Sequence, residues 1–134
     1  MTALQALLGF AGWTLLLVSI IFLYRGMRFL TGTPINSWPR GNKTGDDAPL
    51  IKRLEDAHAN CLENLPLFAV IVLAGAALGQ LEVIAPLAPW VLYARMGQTA
   101  AHMAGVGKVH VFVRASFWSV QMGLFFWMLA KLLG

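Results

Sequence analysis

Three groups of polar side chains interrupt otherwise apolar sequence at helical spacing. Arg53, Asp56, Asn60 and Glu63 follow one another at intervals of three, four and three residues. On a helix they share one face, with Asn64 beside them. Arg95, Gln98 and His102 repeat the three-and-four spacing further along, and Arg114 stands among Val113, Ala115, Phe117 and Trp118. A cavity between the helices that carry these residues would be lined by carboxylates, guanidiniums, amides and an imidazole. Such a set can ion-pair with a ligand and favour its anionic form. Glu63 and Arg95 each lie a turn or more inside an apolar stretch, where an isolated charge costs about 3 kcal/mol. They are therefore expected to pair across helices. The single cysteine, Cys61, excludes an internal disulfide and any cysteine-built metal site, and no metal is expected.

The elements that must position these groups are membrane helices. The chain has 134 residues, of which 58% are hydrophobic and only 12% charged, with a mean hydropathy of +0.68. A soluble domain this small needs more charge to cover its surface. Four apolar helical stretches are expected at about residues 4–28, 50–80, 84–106 and 111–133, forming one all-α membrane domain over residues 1–134. The second begins amphipathic and becomes apolar, and Pro66 is expected to bend it. Pro86 and Pro89 suit the entry of the third. The first connection, about 32–49, is a true loop rich in Gly, Pro, Asn and Asp. The N-terminal apolar run lacks the basic start of a cleavable signal.

The formal net charge of +4 does not point to nucleic acid, because the basic residues flank apolar segments rather than forming a patch. Arg25, Arg28, Arg40, Lys43, Lys52 and Arg53 surround the first connection, and Lys108 and Arg114 flank the third. Lys131 is alone on the opposite side. By the positive-inside rule both termini lie outside and the long loop is cytoplasmic. A bacterial inner membrane is the expected location.

The segment RLEDAHANCLENLPLF, residues 53–68, resembles the second-helix signature of the MAPEG family, the membrane-associated proteins in eicosanoid and glutathione metabolism. The likeness covers an R-x-x-x-A-H-x-N-x-x-E core followed by an apolar run with an early proline. It extends to the four spans, the long first loop and an arginine opening helix four. The resemblance implies a homotrimeric four-helix bundle that binds glutathione as co-substrate between subunits at the cytoplasmic end. It implies glutathione contacts from Asn60 and Glu63, and signature roles for Arg53 and His58, although His58 points away from the Asn60 face by spacing. It implies further contacts near Arg95, Gln98 and His102, the last standing where many members have a tyrosine. Arg114 matches the arginine proposed to stabilise the thiolate. Arg28 or Arg25 is a candidate for holding a glutathione carboxylate, the alternative being an interfacial anchor.

The function so implied is that of a glutathione-dependent transferase or peroxidase acting on lipophilic electrophiles or lipid hydroperoxides that partition from the surrounding lipid. The alternative is a non-catalytic member that binds lipid or a partner protein. Asp56 and Ala59 stand where well-studied members carry arginines, Ala115 replaces a serine of the prostaglandin synthase, and the stretch from His102 to Arg114 is longer. These departures argue against prostaglandin synthase activity. A proton-coupled transporter is disfavoured because the first helix lacks a carboxylate.

Overall fold

The computed structural model describes residues 1–39 and 46–134; Arg40 and Lys43 of the basic cluster lie outside them. The described residues form four long helices, one single-turn α-helix and a short 3-10 helix at Ile35–Ser37, with no strand.

Helix α1 (Ala3–Leu30) opens on a capping box, in which Thr2 Oγ1 accepts from Gln5 N at 3.1 Å and Gln5 Oε1 accepts from Thr2 N at 2.9 Å. Its buried stripe is Ala3, Ala6, Leu7, Phe10, Thr14, Leu17 and Ile21, the three-and-four spacing of one helical face. The opposite face exposes Leu8, Leu15, Phe22 and Leu23, as a helix in contact with lipid does. At about 1.5 Å per residue α1 is roughly 42 Å long.

Helix α2 (Pro49–Ala77) starts on a proline, which costs nothing where the first N–H is unpaired anyway. It continues through Pro66 as one element. It ends at Ala77, earlier than the sequence pattern indicates, and just beyond it Gly79, with φ of +67°, allows the N–H of Gln80 to return to the Gly75 carbonyl at 2.8 Å. The third helix also differs from expectation. Residues Leu81–Ile84 form a separate turn, α3, and α4 runs only over Ala88–Ala104. Pro86 and Pro89 cause the break, since neither can donate a helical hydrogen bond. At the other end Gly105 is extended, and a Cβ there would lie 2.9 Å from the His110 ring. This close approach lets α5 (Lys108–Leu133) begin almost at once.

Helices α1, α2 and α5 are each long and apolar enough to cross a membrane, and the protein is an integral membrane protein. Helix α4 packs most extensively on α5 and also touches α1 and α2. At the centre Phe68 of α2 lies between Phe10 of α1, with ring centroids 5.7 Å apart, and Phe125 of α5, at 6.0 Å.

The charged end of the bundle is tied by its own loop. Arg25 Nη2 donates to Glu55 Oε2 at 2.8 Å and to Asp47 Oδ2 at 3.5 Å, while Trp38 Nε1 donates to Asp47 Oδ1 at 2.9 Å. Asp47 is buried, so both donors matter. Asp47→Ala is expected to speed limited proteolysis of the first connection by about tenfold, equivalent to about 1.4 kcal/mol of local opening. An unchanged cleavage rate would show that the loop is held by something else.

Candidate functional site

Three helices bring four of the polar groups to one place. Asn60 of α2 lies with Nδ2 2.7 Å from His102 Nε2 on α4, and Arg114 Nη1 of α5 lies 2.8 Å from His102 Nδ1. The ring is 4% exposed. A guanidinium can only donate, so Nδ1 must carry the lone pair and the ring proton sits on Nε2. Asn60 satisfies that proton by presenting its amide oxygen, the amide being free to turn end for end about its last torsion. The imidazole is thereby fixed in position and in tautomer from two sides.

A cavity of about 370 Å³ opens beside this chain of hydrogen bonds, lined by Asn60, Gln98, His102 and Arg114 and by Val111, Ala115 and Trp118. Arg114 Nε is buried and has no hydrogen-bond partner among the described residues. Gln98 Oε1 accepts from Gln121 Nε2 at 2.9 Å, which leaves Gln98 its N–H groups. Gln121 is fully buried and was not among the residues singled out by spacing. The signal was present, since it lies seven residues, about two turns, beyond Arg114 in an otherwise apolar helix.

Leucine substitutions test the amide pair. Gln121→Leu leaves Gln98 Oε1 without its donor, and the double variant Gln98→Leu/Gln121→Leu removes the orphan. The double variant is expected to lose less stability than the sum of the singles, by about 0.6 to 1.7 kcal/mol, as read by unfolding in mixed detergent. Strict additivity would mean that the two amides are not coupled.

The other sequence candidates lie elsewhere. Arg95 and Glu63 do not form the expected ion pair. Arg95 is 1% exposed and lies over the Phe10 ring at 5.4 Å, whereas Glu63 is exposed on the outer side of α2. Arg95 turns inward between α4 and α1, and helical spacing fixed its side but not that rotation. Its Nε and Nη2 have no hydrogen-bond partner among the described residues. Arg28 is not at the cavity either: it donates to the Tyr24 hydroxyl and the Asp46 carbonyl, each at 2.9 Å, and to Thr33. Its donors are absorbed by the first connection, as an anchor's would be. Arg53 and His58 are half-buried and do not line the cavity. Cys61 is sealed in the core, and nearby Thr99 accepts from Trp13 Nε1 at 3.1 Å.

A second, wholly apolar groove of about 150 Å³ follows the same α2–α5 seam, lined by Leu67, Ile71, Met122, Phe125, Phe126 and Leu129. Leu67 is seven residues beyond Asn60, and Met122 is eight beyond Arg114. The groove therefore begins about two helical turns further along both helices.

No curated protein and no solved structure matches the chain. The family model described as MAPEG family matches residues 3–134, nearly the whole length. Together with the apolar helices and the polar cavity among α2, α4 and α5, that match places the chain in the MAPEG family, to which it belongs.

Proposed function

We propose that the protein is a glutathione-dependent transferase or peroxidase acting on lipophilic electrophiles or hydroperoxides. The observation that carries this reading is Arg114, which lines the cavity beside Asn60 and Gln98 and is held by His102. A thiol of ordinary pKa, about 8.5, is a poor nucleophile until ionised, and a guanidinium within hydrogen-bonding reach favours the thiolate. Amides from Asn60 and Gln98 supply donors and acceptors for the peptide part of glutathione. The apolar groove along the same seam suits a second substrate arriving from lipid. Glutathione binding to the detergent-solubilised protein, followed by thiolate absorbance in the ultraviolet, tests the reading. Absence of binding at millimolar glutathione would refute it.

The assembly we infer is a homotrimer with the cavity completed by a neighbouring subunit. Glu63, midway along α2, is exposed together with Asp56 and Ala59. A carboxylate left facing lipid at that depth costs about 3 kcal/mol, and a second copy covering this face removes the penalty. Native mass spectrometry in detergent reads the stoichiometry directly. In the same reading α4, with 17 residues, is the fourth span, at the short end of what crosses a bilayer. Both termini are outside, the cavity is at the cytoplasmic end and the membrane is a bacterial inner membrane. A C-terminal reporter found in the cytoplasm would overturn that orientation.

A second reading, a non-catalytic member that binds lipid or a partner protein, is favoured by Asp56 and Ala59 at positions of family arginines and by the apolar groove. Calorimetry separates the two: lipid binding without glutathione binding selects the second.

A further inference from the structure

We propose that His102 is the base that ionises the bound thiol, its Nδ1 lone pair being freed when Arg114 turns its N–H donor from the imidazole to the sulfur. The inference rests on the thiol-binding reading above and adds to it the destination of the proton.

Among the residues that line the cavity, His102 alone carries a basic nitrogen lone pair: the others are a guanidinium, two amides and three apolar side chains. The Glu63 and Asp56 carboxylates are exposed and do not line it. Geometry also places the lone pair correctly. Nδ1 already accepts from Arg114 Nη1 at 2.8 Å, so a sulfur that takes over that N–H comes to lie next to Nδ1. The thiol S–H bond then breaks, its electron pair stays on sulfur, and the proton forms a new N–H bond at Nδ1. The products are a thiolate held by Arg114 and an imidazolium whose Nδ1–H can also face the sulfur.

Asn60 makes this exchange possible without loss of position. Its amide stands 2.7 Å from Nε2, and with the amide turned end for end its oxygen accepts the Nε2 proton from imidazole and imidazolium alike. The ring therefore stays in place while Arg114 changes partner. Net charge in the site is also conserved, because a neutral thiol and a neutral imidazole become an anion and a cation. Expelling the proton instead would change the charge beside a ring that is itself buried. The charged groups whose fields reach the ring are Arg114 on α5, Asp56 on α2 and Arg95 on α4 itself. Two of these are cations and one is an anion, and the thiolate adds a second negative charge.

A proton inventory tests the step. The full-length protein in detergent is mixed with glutathione in lightly buffered solution near pH 7, and thiolate absorbance and an indicator dye are followed together. The expected result is a thiolate signal with far less than one proton released per thiolate. His102→Gln keeps an amide acceptor for Arg114 but cannot store a proton. It is expected to form thiolate on the order of a hundredfold more slowly, and to release one proton for each thiolate formed. One proton released per thiolate by the unaltered protein would overturn the role of His102 while leaving thiolate binding intact. So would an unchanged rate in His102→Gln. A protein that forms no thiolate at all would remove the thiol-binding reading and this inference with it.

Discussion

Arg114→Ala is expected to lower the rate of thiol conjugation by about a hundred- to a thousandfold, or about 2.7–4 kcal/mol, the effect of removing one placed donor from a developing anion. Two losses combine. The thiolate loses its guanidinium, and His102 Nδ1 loses the donor that fixes its tautomer. Arg114→Lys separates them, because an ammonium supplies charge and a donor but not a planar fork that can hold sulfur and imidazole in turn. It is expected to recover part of the thiolate absorbance and little of the rate. Lys131→Ala, at the far end of the same helix over Trp127, serves as the control and should leave conjugation within about twofold. If Arg114→Ala conjugates thiol as fast as the unaltered protein, the arginine has no part in forming the anion.

The residues of this site differ in how readily the sequence exposes them. Asn60, Gln98, His102 and Arg114 are polar groups in apolar surroundings, and helical spacing alone places the first three on faces that can converge. The convergence itself depends on how α4 and α5 are rotated about their axes. That is set in part by Gly97, where a Cβ would lie 2.7 Å from the Phe117 ring. Spacing could not tell Arg95 from Glu63, because both are charged and both sit well inside a helix. One turns into the core over Phe10 and the other faces outward, and the difference comes from the rotation of each helix against its neighbours. Arg28 was opaque for another reason: one of its partners is the backbone carbonyl of Asp46, which no pattern of side chains reveals. Pro86 and Pro89 suggest the entry of one helix from about residue 84, whereas they separate α3 from α4. Nor does a Leu, Val or Phe on the outer face of α5 declare whether it meets lipid or another subunit, since both are equally apolar to it.

Phe68→Ala is expected to destabilise the bundle by about 2–4 kcal/mol, the largest loss from any single truncation in the core. The ring is fully buried and bridges α1 and α5 through Phe10 and Phe125. Phe→Ala in soluble cores costs about 3–5 kcal/mol, part of it the transfer of the ring from water. In a bilayer that part shrinks, because lipid tails solvate a phenyl group well. The lost dispersion contacts and the cavity remain. Two aromatic pairs are lost as well, each worth about 0.5–1.5 kcal/mol beyond area. Because Asn60 stands eight residues before Phe68 on the same helix, loosening α2 here should also widen the Asn60–His102 distance and weaken glutathione binding. Phe68→Leu retains much of the volume without the ring pairs and should recover roughly half of the loss. Equilibrium unfolding in mixed detergent reads the stability, and calorimetry reads the binding. If Phe68→Ala unfolds at the same denaturant fraction as the unaltered protein, the three-ring cluster is not what joins α1, α2 and α5.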